Sequence, residues 1–178
     1  MGRVIAIYGV ISGVIVIIGM YTSIAIVSDH GMMGMIAGYL SMLVALSFVF
    51  VGVKRYRDVD LGGVITFWKA LGVGIGIALV SSLFYVLSWE VYNAATGGTF
   101  MAQYVASQIE SMRAAGKSAA EIAQFSSEMQ AFAEQYKNPL FRMAMTFTEI
   151  SPVALLMPLV SAALLRNSRF LPARQPRS

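Results

Sequence analysis

The sequence predicts an all-α integral membrane protein: four transmembrane helices, with an extracytoplasmic helical hairpin between the third and the fourth. Three observations carry this. Of the 178 residues 57% are hydrophobic and only 12% are charged, and mean hydropathy is +0.70. Soluble domains run near a quarter charged. Four stretches, Val4–Val27, Gly31–Val53, Ala70–Trp89 and Met143–Leu165, hold most of the apolar weight, and Glu149 is the one charge that interrupts them. Each is long enough to cross about 30 Å of hydrocarbon. Between the last two lies a segment with helix signals but an amphipathic pattern. The expected organisation is a single membrane domain over 1–178, with spans at about 4–27, 32–53, 68–92 and 139–165 and the hairpin at about 99–137. This composition excludes a soluble enzyme, a disordered regulator and a DNA-binding domain.

The first span follows Arg3 alone, and its 24 apolar residues exceed the apolar core of a secretory signal. Ala25-Ile26-Val27-Ser28 is a poor cleavage site, so the segment is expected to remain as a helix. Gly9 and Gly13 in this span, Gly34 and Gly38 in the second, and Gly72 and Gly76 in the third are spaced four apart. Small residues at that spacing let helices approach closely in lipid. They are read first as packing within the chain and second as a dimer seam. Asp29-His30 falls in a tight turn between the first two spans.

The second span ends in Lys54-Arg55-Tyr56-Arg57-Asp58. Lys54, Arg55 and Arg57 are candidates for binding anionic lipid headgroups, with topology and solvation as the plainer role. Asp58 to Gly63 reads as a turn, because the Gly62-Gly63 pair breaks the helix. Val64–Lys69 is either the first turns of the third span or a short interfacial piece. Trp68 and Lys69 mark one end of that span, and Trp89 and Tyr92 mark the other, where amphipathic rings anchor at the membrane surface. Trp89 and Glu90 are therefore candidate outer-interface residues, with Glu90 expected to be solvated. Gly72-Val73-Gly74-Ile75-Gly76 follows no strand and lacks the third glycine of a dinucleotide loop, so that reading is rejected.

Beyond the third span, Ser118-Ala119-Ala120-Glu121 is a capping box, in which hydroxyl and carboxylate satisfy free amides at a helix start. Ile122, Phe125, Met129, Phe132 and Tyr136 then recur at helical spacing. Phe100, Tyr104, Ile109 and Met112 form a looser stripe before it, and Gly116 supplies a stop. The hairpin either packs its stripe on itself and the bundle, or offers it to a partner protein or to the membrane surface. Asn138-Pro139 ends it and opens the fourth span.

Charge placement sets the expected orientation. Nine of the 13 basic residues (Arg3, Lys54, Arg55, Arg57, Lys69, Arg166, Arg169, Arg174, Arg177) fall on one side. Arg113, Lys117, Lys137 and Arg142 fall on the other. The positive-inside rule then puts both termini in the cytoplasm. The net charge of +4 belongs to this pattern rather than to nucleic-acid binding.

Chemistry is sparse. With no cysteine and His30 the only histidine, thiol nucleophiles, multi-His metal sites and a Ser-His-Asp triad lack their residues. No cofactor or metal is expected. Glu149 stands out because it falls about ten residues inside the fourth span, where a carboxylate must be protonated, paired or in a wet cavity. Arg142 lies seven residues earlier on the same face, and Pro152 and Pro158 break the helix beyond it. Glu149, Arg142 and Pro152 are the candidate intramembrane functional residues. The plainer role for Glu149 is a structural carboxyl facing Ser81, Ser82, Tyr85 or Ser88.

Three runs carry a family resemblance. The first is Gly52-Val53-Lys54-Arg55-Tyr56-Arg57-Asp58 with Gly62-Gly63-Val64-Ile65-Thr66-Phe67 and Lys69-Ala70. The second is Tyr85-Val86-Leu87-Ser88-Trp89-Glu90-Val91-Tyr92. The third is Thr146-Phe147-Thr148-Glu149-Ile150-Ser151-Pro152-Val153, closing on Ala163-Leu164-Leu165-Arg166-Asn167. Together, over roughly Ile36 to Asn167, the chain resembles the bacterial domain-of-unknown-function family four-one-nine-nine, small multi-span membrane proteins. The resemblance implies a bacterial inner-membrane location and brings no activity and no functional residue. The expected function is a non-enzymatic membrane component that contacts lipids or proteins, as an oligomer or as an accessory subunit joined through the hairpin. The alternative is a small transporter or channel using Glu149.

Overall fold

The computed structural model describes residues 1–26 and 32–173, and every regular element among these residues is a helix. Four helices are long and apolar enough to cross a membrane: α1 (Gly2–Ile26), α2 (Met32–Arg55), α3 (Phe67–Ala95) and α6 (Pro139–Leu165). Two shorter helices, α4 (Phe100–Ala114) and α5 (Ala119–Tyr136), lie between α3 and α6. The Asp29-His30 turn, Arg174 and Arg177 lie outside the described residues.

Helix α3 touches all three other long helices, with α1 and α6 its largest neighbours. Close approach explains the glycine spacing. A Cβ on Gly9 would stand 2.6 Å from the Cβ of Val80, and one on Gly13 2.6 Å from the ring of Phe84. The four-residue step on α1 thus seats a four-residue step on α3. A Cβ on Gly74 would meet Pro158 of α6 at 3.0 Å. By contrast, Gly38 and Gly72 face open space. Close packing within the chain therefore accounts for Gly9, Gly13 and Gly76 and not for Gly38 or Gly72.

Val16, Met42, Leu46, Val49, Val53, Val73, Ile77, Ile150 and Leu165 fill the bundle centre. One polar knot sits among them. The Ser12 hydroxyl donates to the Ala45 carbonyl at 2.8 Å and shares a 3.0 Å hydrogen bond with Ser81, tying α1, α2 and α3 together.

The end of α2 departs from the expected turn. Helix continues through a five-residue π-helical segment, Tyr56–Asp60, and the chain reverses only at Leu61–Gly63. Gly62 and Gly63, at φ +68° and +97°, take the left-handed conformations that this reversal needs. The wider π turn rotates Tyr56 and Arg57 inward, and both are buried. Val64–Thr66 is non-helical, and α3 starts at Phe67 after an extended Thr66.

Candidate functional site

The polar side chains gather at the two ends of the bundle and at one place within it. At the α4–α5 end, Arg142 makes a two-pronged pair with Glu90. Its Nε donates to Oε1 at 2.7 Å and its Nη2 to Oε2 at 2.5 Å. Its third nitrogen, Nη1, donates to the Tyr136 carbonyl at 3.0 Å. The guanidinium also lies 5.8 Å from the centre of the Tyr136 ring, within cation–π range. Trp89 Nε1 donates to the Tyr136 hydroxyl at 2.7 Å. Burial pushes the Tyr136 phenol above its ordinary range, and the Trp89 bond and the Arg142 charge oppose that shift.

This cluster fastens the last turn of α5 to the ends of α3 and α6. Aromatic edges extend it, with Phe132 against Phe141 and Phe100 against Trp89. One expectation changes here. Glu90 is not a solvated interface acid, since its side chain is 16% exposed against 10% for Arg142. Arg142 partners Glu90 across two helices, because the guanidinium fork fits a carboxylate at its own depth.

The α4–α5 pair itself is lightly held. Both helices have their expected stripes half-buried, and neither has a fully buried residue. The capping box at Ser118 forms as the sequence requires, with hydroxyl to Glu121 amide and Glu121 carboxylate to Ser118 amide. Lys117 bonds the same carboxylate at 2.8 Å. That bond, with those from Ser118, holds the Glu121 carboxyl down to about 2.

Within the span, α3 and α6 run antiparallel, with Glu90 against Arg142, Tyr85 against Glu149 and Gly74 against Pro158. Of the side chains expected to face Glu149, the structure sets Tyr85 beside it on α3, where phenol and carboxyl interact electrostatically. Glu149 is nevertheless exposed, at the edge of the bundle rather than inside it. Pro152 lies on the same outward side. The Thr148 carbonyl, which loses its amide donor to Pro152, accepts instead from the Ser151 hydroxyl at 2.8 Å. Ser82, one turn below Tyr85 on α3, is the one buried side-chain oxygen without a partner among the described residues.

At the opposite end the three candidate cations separate. Lys54 pairs with Asp58, and Arg55 lies 3.7 Å from Asp60. Their side chains are 31% and 47% exposed. Arg57 is fully buried. Its Nε donates to Asp58 at 2.6 Å, Nη1 to the Phe170 carbonyl at 2.9 Å and Nη2 to the Leu171 carbonyl at 2.5 Å. Arg57 thus holds the segment after α6 against the π-helical turn. It faces no headgroup, which corrects its assignment as a lipid ligand. No sequence motif signals this, because the carbonyls it meets are more than a hundred residues away.

These features define a four-helix bundle with the character of a multi-pass membrane protein, ion-paired at its ends and nearly free of charge between them. The chain belongs to the family described as "Protein of unknown function (DUF4199)", which matches residues 7–167. Neither the curated proteins nor the solved structures hold a match to it.

Proposed function

We propose that the chain is a non-enzymatic component of the bacterial inner membrane that works through contacts with other proteins and with lipids. In this reading both termini are cytoplasmic and the α4–α5 pair is extracytoplasmic. The observation that carries it is the mounting of that pair. Arg142, Glu90, Trp89 and Tyr136 fix its base, while no residue along either helix is fully buried. A rigidly based, open helix pair is suited to presenting surface to a partner. At the other face Lys54 and Arg55 meet the anionic headgroups expected there.

The alternative, transport through Glu149, has less support. The buried hydroxyls of Ser12, Ser81 and Ser82 give way below to Val49, Val53, Val73, Ile77 and Leu165, and the buried Ser161 hydroxyl among them donates to the Met157 carbonyl. A stretch lined so largely by hydrocarbon disfavours an ion.

The test is site-specific photo-crosslinking in intact membranes. A photoreactive residue is placed in turn at Gln103, Ala106, Glu128 and Ala131, all exposed on the pair. A discrete adduct of protein mass at one or more of them is expected. Lipid adducts alone, or none at all four, refute the reading.

A further inference from the structure

On α6, Met145, Glu149, Pro152 and Leu156 all face outward, at spacings of four, three and four. That is a single stripe along one side of a helix. Its flanks are ordinary lipid-facing surface, with Met145 39% and Leu156 50% exposed. Its centre is not. Glu149 lies ten residues from Pro139, about 15 Å along the axis, at a depth where hydrocarbon offers no hydrogen-bond donor. The Tyr85 phenol interacts with it from α3, and a carboxyl has room for several hydrogen bonds. Ionisable groups at this depth face protein or water, so an outward carboxyl marks a surface that another helix covers.

The chain also indicates which helix. Arg57 and Arg142 spend their donors within their own fold, and Lys54 is paired with Asp58 at a helix end. A second copy therefore brings no free cation to mid-span. It does bring the same carboxyl at the same depth, because two copies inserted with one topology are level in the bilayer. A two-fold axis along the membrane normal sets the two α6 helices side by side and parallel, and stripe residues then meet themselves. Two facing carboxyls sharing protons satisfy each other as no acyl chain can.

We propose that two copies of this chain pair in the membrane along the α6 stripe Met145–Glu149–Pro152–Leu156, each Glu149 completing the hydrogen bonding of the other. This face is separate from the α4–α5 pair, so the failure of either reading leaves the other standing.

The absence of cysteine makes the test clean. The full chain is reconstituted in liposomes with single cysteines at Met145→Cys, Leu156→Cys or, as control, Leu83→Cys. Leu83 is 56% exposed on α3, away from the stripe. Copper-phenanthroline oxidation is expected to join the first two and not the third, and the joined fraction is expected to survive dilution with lipid. In the Met145→Cys background, Glu149→Gln retains a hydrogen-bonding pair and keeps cross-linking. Glu149→Leu weakens association roughly three- to tenfold, the range set by one such contact in a bilayer. Tyr85→Phe removes the phenol beside Glu149 within the chain but not the contact between copies. It is expected to cross-link as the parent does, which separates loss of pairing from loss of fold. Equal cross-linking at position 83, wild-type cross-linking by the Leu variant, or loss on lipid dilution overturns the proposal.

Discussion

The Arg142–Glu90 pair offers the most direct measurement of what holds the α4–α5 end together. The perturbation is a double-mutant cycle of Glu90→Gln, Arg142→Gln and the combination. In the parent, three guanidinium nitrogens are engaged, two with Glu90 and one with the Tyr136 carbonyl. With side chains only 10% and 16% exposed, water screens the pair weakly. Removing one partner of a fully buried pair costs about 3–5 kcal/mol, and partial exposure lowers this to about 2–4 kcal/mol for either single variant. Because each single change leaves the other charge uncompensated, the double variant should cost less than the sum, with a coupling of about 2 kcal/mol.

The assay is unfolding of the full chain in mixed micelles of rising SDS content, followed by tryptophan fluorescence. A Trp68→Phe background leaves Trp89, which is bonded to Tyr136 within the same cluster, as the only reporter. Arg142→Lys keeps the charge and loses the fork, and should recover less than half of the loss. Single variants within about 0.5 kcal/mol of the parent, or a double equal to the sum, would show that the pair is a solvated surface contact. The clamp argument would then fail.

Three further outcomes follow from other parts of the fold. Gly9→Ala should destabilise the same SDS transition by about 1–3 kcal/mol, because its methyl would meet the Cβ of Val80 at 2.6 Å, too close to the backbone to yield. Gly72→Ala, into open space, should gain up to about 1 kcal/mol, and equal effects would refute the packing assigned to these helices. Arg57→Met should free the segment after α6, so trypsin cleavage after Arg166 and Arg169 should accelerate, whereas an unchanged rate would mean that Arg57 does not hold it. The Glu121 carboxyl ordinarily titrates near 4.5 and is held near 2 by Lys117 and Ser118. Its contribution to α5 is therefore complete above pH 4.5 and is lost as pH falls toward 2. Amide exchange in the first turn of α5 should quicken over that window, and Ser118→Ala should flatten the dependence.

How much of this was legible in the sequence depends on whether a signal survives in an apolar solvent. Span number and helical class were legible because length and hydropathy alone set them. The capping box at Ser118 was legible because all its atoms lie within four residues. Helix rotation was not. A soluble helix shows its buried face as an apolar stripe, but here the exposed faces, with Ile18, Val44, Leu83 and Leu155, are as apolar as the core. Whether Glu149 points in or out therefore leaves no trace in the pattern. The same loss hides the long-range partners: Glu90 and Arg142 are 52 residues apart, and Arg57 finds backbone carbonyls, which every residue carries. Register between helices can still be recovered from the sterically singular residues. Gly74 admits Pro158, and Gly9 and Gly13 admit Val80 and Phe84, since no other residue type leaves that space. Fixing the α3–α6 register at Gly74 and Pro158 brings Tyr85 level with Glu149 and Glu90 level with Arg142, within two residues in each case. In a bundle of this kind the glycines and prolines, rather than the hydrophobic pattern, carry the information that places the charges.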